Sequence, residues 1–213
     1  MKKETTIFLF RLFIALLAWL ALGLQLYVMF TGGGPGKVTH TGLILLNFFS
    51  YFTILTNLMV ALCFSALAIA PASRAGRFFS RPSTITAVTV YITIVGLVYS
   101  IALRAIWDPR GLQLVVDRIL HDLVPIATVL YWVLYIPRRT LHWKQAFPWL
   151  LYPFLYLVLA LARGVASHWF AYYFIDYTLL GWPRVILNVL LISAGFLLVS
   201  LLFIWLNRIM KRN

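Results

Sequence analysis

The chain has 213 residues, of which 63% are hydrophobic and 11% charged. Soluble domains carry an apolar share of roughly 45–50%, so the composition excludes one and requires a polytopic membrane protein. The formal charge of +13 would suit nucleic acid if it were gathered in a patch, but Lys and Arg are dispersed among separate loops, and no nucleic-acid partner is expected.

At roughly 20 apolar residues per crossing, six spans are predicted: 7–30, 43–70, 83–106, 112–136, 146–164 and 185–207. They are long and continuously apolar, without the alternation of membrane strands, so the expected fold is an all-α, six-helix transmembrane bundle forming one domain over residues 1–213. The first span follows Lys2 and Lys3 and has the outline of a signal peptide, but Arg11 interrupts it and no small-x-small cleavage site follows. Between spans one and two, Gly32-Gly-Gly34-Pro35-Gly36 lacks the Lys-Ser/Thr of a phosphate loop and reads as an outer turn.

Span two contains Asn47-Phe-Phe-Ser50-Tyr-Phe-Thr53-Ile-Leu-Thr56-Asn57, five small polar side chains in a segment of bilayer length. On a continuous helix Ser50, Thr53 and Asn57 fall within about 60° of one another, a face turned toward other helices. Cys63, the single cysteine, is read as packing, with no disulfide or thiolate site. Arg104 lies in the last turn of span three. Span four carries Asp117, Arg118, His121 and Asp122 in its first third, followed by Pro125, which removes a backbone hydrogen bond and is expected to kink the helix beside the His121 ring. On span five Tyr152, Tyr156 and Arg163 share a face, and the following outer loop holds Asp176. Trp107, Trp143, Trp149, Trp169, Trp182 and Trp205 fall near span ends, where their amphipathic rings anchor at the interface.

Lys2 and Lys3; Arg74, Arg77 and Arg81; Arg138, Arg139 and Lys144; and Arg208, Lys211 and Arg212 mark alternate loops and both termini. By the positive-inside rule these face the cytoplasm, leaving Lys37, Asp108, Arg110, Asp176 and Arg184 outside.

An ionisable group at bilayer depth costs about 2.5–3.5 kcal/mol for Arg, Lys or Asp on insertion scales, so each demands a partner or a function. His121 lies nine residues into span four, about 13 Å along the axis, and Thr53 lies ten residues into span two, which also starts outside. Matched depth lets the imidazole and the hydroxyl meet if the two spans face each other. Thr and neutral His make a nucleophile and general base, with Asn57 one turn below as an oxyanion donor and Asp117, at i−4, able to orient the ring. The alternative is that Ser50, Thr53 and Asn57 hydrogen-bond neighbouring helices and hold the bundle together. Arg104 and Arg163 likewise have two readings, a carboxylate-binding pocket or ion pairs with Asp108, Asp122 or Asp176. His40, His142 and His168 are too dispersed for a metal motif, and neither a metal nor another cofactor is expected.

These residues resemble the androgen-induced membrane hydrolases, a family of six-helix-scale proteins with bacterial relatives. Tyr51-Phe-Thr53 looks like the family's aromatic-apolar-Thr element, His121-Asp-Leu-Val-Pro125 like its His-x-x-apolar-Pro segment, and Tyr172-Tyr-Phe-Ile-Asp176 like its outer-loop Tyr-Pro-Phe-apolar-acid element. The resemblance implies that Thr53 and His121 are catalytic in cleaving fatty acid esters of hydroxy fatty acids, in a bacterial inner membrane. Tyr173 departs from the family's Pro, and Asn57 follows Thr53 by four residues where an animal member has its polar residue at three, so Thr56 stays an alternative nucleophile. The expectation is therefore an intramembrane hydrolase acting on a membrane lipid or fatty-acid ester. Its rival is a transporter, channel or lipid-binding protein using the same polar pocket. No oligomeric state is implied.

Overall fold

The computed structural model describes residues 2–32 and 40–210. The Gly-rich turn at 33–36, Lys37, Lys211 and Arg212 lie outside the described residues. Among those described, every regular element is helical. The chain divides into two compact units, Met1–Pro137 and Arg138–Asn213.

The first unit runs through α1 (Lys2–Phe30), α2 (Thr41–Phe48), α3 (Phe52–Ile69), the short α4 (Arg74–Phe79) and α5 (Pro82–Val98), which continues into a π-helical turn at Tyr99–Leu103. Then come α6 (Leu112–Arg118), a second π-helical turn at Ile119–Leu123 and α7 (Val124–Tyr135). Helix α1 packs against α3 and α7, and α5 against the same two, closing a four-helix bundle. Ala15, Ala18 and Ala21 are buried on α1. Small side chains let helix backbones approach where hydrophobic burial between helices brings little gain, lipid being as apolar as the core. Several polar groups inside find partners: Thr89 and Thr128 donate to the carbonyls of Ile85 and Val124 at 2.8 Å each, and Trp132 Nε1 donates across to Thr86 Oγ1 at 2.8 Å. Arg11 does the same for a helix end. Its guanidinium donates to the Leu67 carbonyl at 3.0 Å and to the Tyr131 hydroxyl at 2.8 Å. Leu67 O is one of the last four carbonyls of α3, which have no intrahelical donor and carry the negative end of the helix dipole.

The second unit contains α8 (Ala146–Trp149), α9 (Leu151–Ser167), α10 (Tyr177–Leu180) and α11 (Trp182–Ile209). Asn207 near the end of α11 fastens the start of this unit, its side-chain oxygen accepting from the backbone N–H of Thr140 and Leu141 at 3.0 and 3.1 Å. After α9 the chain turns at His168 in a left-handed conformation with φ 52°, bringing the Phe170 ring onto Gly164, where a Cβ would stand 2.0 Å from the ring. Large apolar side chains such as Phe13, Leu20, Leu130, Leu159, Leu190 and Leu198 are exposed, the surface a protein presents to lipid tails.

Five helices are long and apolar enough to cross a membrane: Lys3–Phe30, Phe52–Ile69, Pro82–Leu103, Trp143–Ser167 and Trp182–Ile209. The protein is thus all-helical and membrane-embedded. The sequence also anticipates a span at 112–136, and this segment is helical from Leu112 to Tyr135 through its π turn, with Asp117, Arg118, His121 and Asp122 lowering its mean hydropathy. Span two differs from expectation. It is not one helix over 43–70, because α2 stops at Phe48 and α3 starts at Phe52. Ser50 Oγ donates to the Leu46 carbonyl at 2.6 Å and Ser50 N to the Asn47 carbonyl at 3.0 Å, local bonds that compete with helix continuation.

Candidate functional site

The break in span two sets the position of Thr53. Tyr51 is extended, with φ −88° and ψ 128°, and is the N-cap of α3, which places Thr53 at the second helical position. Its side chain therefore lies at the positive end of an 18-residue helix. Ser50 sits in the break and Thr53 and Asn57 on the helix beyond it, so the continuous three-residue face expected from helical spacing is replaced by an i, i+4 pair.

On the facing segment His121 lies at the centre of the second π turn. Pro125 has no N–H to offer the His121 carbonyl, and the turn absorbs this by a wider bond, from Val124 N to the Ile119 carbonyl. The result is an inserted residue that re-aims the imidazole where the sequence anticipates a simple kink. Helix α5 comes close here because Gly96 has no side chain: a Cβ at that position would stand 3.0 Å from the His121 carbonyl and 3.4 Å from Pro125 Cβ.

Thr53 Oγ1 lies 3.4 Å from His121 Nε2. On the other side of the ring, Nδ1 is 3.0 Å from the Asp117 carbonyl oxygen and 3.3 Å from Asp117 Oδ1. A carbonyl oxygen only accepts, so Nδ1 carries the hydrogen, and in the neutral ring the Nε2 lone pair is on the side of Thr53. Burial is deep but incomplete: the side chains of His121 and Asp117 are 12% and 4% exposed. Tyr99 stacks on the imidazole, with centroids 4.0 Å apart and planes 16° from parallel.

Asn57, wholly buried, turns its amide away from the expected oxyanion role. Its Nδ2 donates to the Thr53 carbonyl at 2.9 Å and to the Leu120 carbonyl at 3.4 Å, tying the first turn of α3 to the second π turn. Thr56 is also wholly buried, and the hydroxyl beside the imidazole is that of Thr53. Asp122 accepts from Arg104 and, at 3.0 Å, from Arg118. Arg104 also lies over the Tyr99 ring with its Cζ 5.0 Å from the ring centroid, so the phenol ring touches both the ion cluster and the imidazole. Of the alternatives weighed for Arg104, the ion pair is the one formed.

Tyr152, Tyr156, Arg163 and Asp176 belong to the second unit. Tyr152 and Tyr156 are half-buried on α9, and the Arg163 guanidinium stacks over Trp169, 3.9 Å from the ring centroid. Asp176 caps α10, Oδ1 accepting from the backbone N–H of Thr178 and Leu179 at 2.9 and 3.2 Å, a structural task. Among the described residues no group of three His, Cys, Asp or Glu side chains is placed to hold a metal ion.

Gly96 and Tyr99 are site residues that the reading for polar groups passes over. The available signal is a glycine in the middle of an apolar span with a tyrosine three residues on, which puts a close helix approach and an aromatic ring on one face. No protein-family model, curated protein or solved structure matches the chain.

Proposed function

We propose that this protein is an intramembrane hydrolase that cleaves a lipid or fatty-acid ester, with Thr53 as nucleophile and His121 as general base. The observation that carries the reading is the polarity of the imidazole: Nδ1 faces two acceptors on Asp117, and Nε2 faces the Thr53 hydroxyl at 3.4 Å. That distance is long for a formed hydrogen bond, but within the looseness of catalytic contacts before substrate binds. The resemblance to the androgen-induced membrane hydrolases names the same two residues and suggests the ester class.

As Thr53 Oγ attacks the ester carbonyl carbon, its proton passes to His121 Nε2 and the carbonyl electron pair moves onto oxygen. The oxyanion develops at the positive end of the α3 dipole, and the imidazolium is stabilised by the Asp117 carboxylate. Collapse breaks the carbon–oxygen bond to the alcohol, which leaves with the proton from Nε2, and Thr53 remains acylated. A water molecule then gives its proton to Nε2 while attacking the acyl carbon, and expulsion of Thr53 Oγ, reprotonated from Nε2, releases the carboxylic acid. The net change is ester plus water to acid plus alcohol, with no external oxidant or reductant.

In this reading the segment 112–136 is a sixth crossing, both termini are cytoplasmic, and the dyad lies in the outer half of a bacterial inner membrane. The placement is supported by the basic loops and by the ion cluster of Arg104, Arg118 and Asp122 near one end of the bundle.

The test is covalent labelling of the purified full-length protein by a long-chain alkyl fluorophosphonate. The expected result is stoichiometric labelling that disappears in Thr53→Ala and in His121→Gln. Unchanged labelling in Thr53→Ala removes that residue as nucleophile, and a wild-type protein that neither labels nor hydrolyses any long-chain ester, but moves a solute across vesicles, is a transporter instead.

A further inference from the structure

The proposed dyad depends on a ring that must be kept from turning. An imidazole held only at Nδ1 can rotate about its side-chain bonds, and a rotated ring presents Thr53 with the wrong nitrogen or with none. The structure surrounds His121 with a second restraint that hydrogen bonding does not supply. Tyr99, 4% exposed, lies nearly parallel to the ring at 4.0 Å, covering one imidazole face. Asp117, the acceptor for Nδ1–H, is buried, and its Oδ2 has no hydrogen-bond partner. The Arg104 guanidinium also lies over the Tyr99 ring, 5.0 Å from its centroid, and Arg104 is tethered to Asp122, the residue after His121.

We infer that Tyr99 is the positioning residue of the Thr53–His121 pair: its ring, stacked on the imidazole, fixes the plane in which Nε2 faces Thr53. The inference rests on the hydrolase reading. The backbone is built for the contact. Tyr99 opens the first π turn, where the Arg104 N–H reaches back five residues to the Tyr99 carbonyl at 2.8 Å. His121 occupies the second, and Gly96, one turn before Tyr99, lets the two segments close. A π turn inserts a residue into the helical register, and such turns are frequent at functional sites. Here two of them face each other, and the residues they present are the two stacked rings. A packing role alone asks only for apolar volume at Tyr99, whereas the parallel stack asks for a flat aromatic ring.

Tyr99→Leu and Tyr99→Phe separate the two. The full-length protein in detergent is treated with the alkyl fluorophosphonate over a range of concentrations, so that the limiting inactivation rate and the half-saturating concentration are read apart. Tyr99→Leu is expected to lower the limiting rate about 10- to 100-fold, a fraction of the 10²–10⁴ that a positioned general base supplies, with half-saturation unchanged. Tyr99→Phe, which keeps the stack, should recover most of that loss. Nitrogen-15 spectra of histidine-labelled protein, with the His121 signals assigned by their loss in His121→Gln, report the ring directly: one Nδ1–H tautomer in wild type and Tyr99→Phe, a mixture in Tyr99→Leu. If Tyr99→Leu does not purify folded, Tyr99→Met, of similar length and flexible, takes its place. A wild-type limiting rate in the Leu or Met variant overturns the proposal, as does an equal loss in Phe and Leu. If the wild-type protein does not label at all, the hydrolase reading fails, and a tautomer signal unmoved in the Leu variant then removes the positioning role as well.

Discussion

Asp117 presents His121 with two acceptors of different kinds, a backbone carbonyl at 3.0 Å and a carboxylate oxygen at 3.3 Å, and the difference decides what a substitution there does. In serine-protease triads, replacing the carboxylate by an amide costs about 10⁴-fold because the imidazole is left in the wrong tautomer. Here the Asp117 carbonyl survives in Asp117→Asn and continues to accept from Nδ1, so the tautomer is retained and only the charge opposite the imidazolium is lost. The expected loss in fluorophosphonate labelling rate is about 10- to 100-fold, well short of that for a wrong tautomer. A rate equal to wild type would show that the carboxylate takes no part. At the same scale, the pairing of Thr53 with His121 is legible in the sequence through depth: two groups about equally far into predicted spans that the basic loops would start on the same side. The role of Asn57 is not, because its amide can donate to an oxyanion or to backbone carbonyls, and only the position of Leu120 O decides which.

The elements that carry these residues are interrupted helices, and each interruption has a local cause. Asn47 and Ser50 read in the sequence as part of a polar face. In the structure Ser50 spends its hydrogen-bonding capacity on the turn that ends α2, and α3 starts afresh just before Thr53. Pro125 is visible as a helix disturbance, but whether it yields a kink or a π turn depends on how the neighbouring helix packs, which spacing does not contain. Gly96 is the position where that packing is decided. An Ala there asks the His121 carbonyl and Pro125 to move by a few tenths of an ångström; a Val asks for more. Gly96→Val is expected to destabilise the protein by about 1–3 kcal/mol, the cost of overpacking a close contact, and to lower labelling more than the fall in thermal unfolding temperature explains, because the strain falls on the His121 turn. A Val variant with wild-type melting and labelling would mean that α5 does not hold that turn in place.

For the whole molecule the number of crossings fixes which loops share a side. If the segment 112–136 spans the membrane, the loop at Asp108 and the loop at Arg139 lie on opposite sides; if it does not, they lie on the same side. In a Cys63→Ala background, single cysteines at Asp108, Arg139 and Ser80 treated with an impermeant maleimide on intact cells resolve this. Asp108→Cys should react, while Ser80→Cys and Arg139→Cys should react only after the membrane is opened. Reaction of Asp108→Cys and Arg139→Cys from the same side would return the count to the five helices that hydropathy alone supports and place the termini on opposite faces. Composition and hydropathy settle the helical, membrane-embedded class, because hydrocarbon leaves a chain this apolar no other way to satisfy its backbone than helices without a strand pattern. They also locate most of the ionisable groups that need partners, since charge at bilayer depth is conspicuous in any sequence. Which partner each one takes is a matter of tertiary structure. The stack of Arg104, Tyr99 and His121, the ion cluster at Asp122 and the turn at Ser50 arise from side-chain directions and helix registers that a shift of one residue would change, and a linear pattern of apolar and polar letters does not carry them.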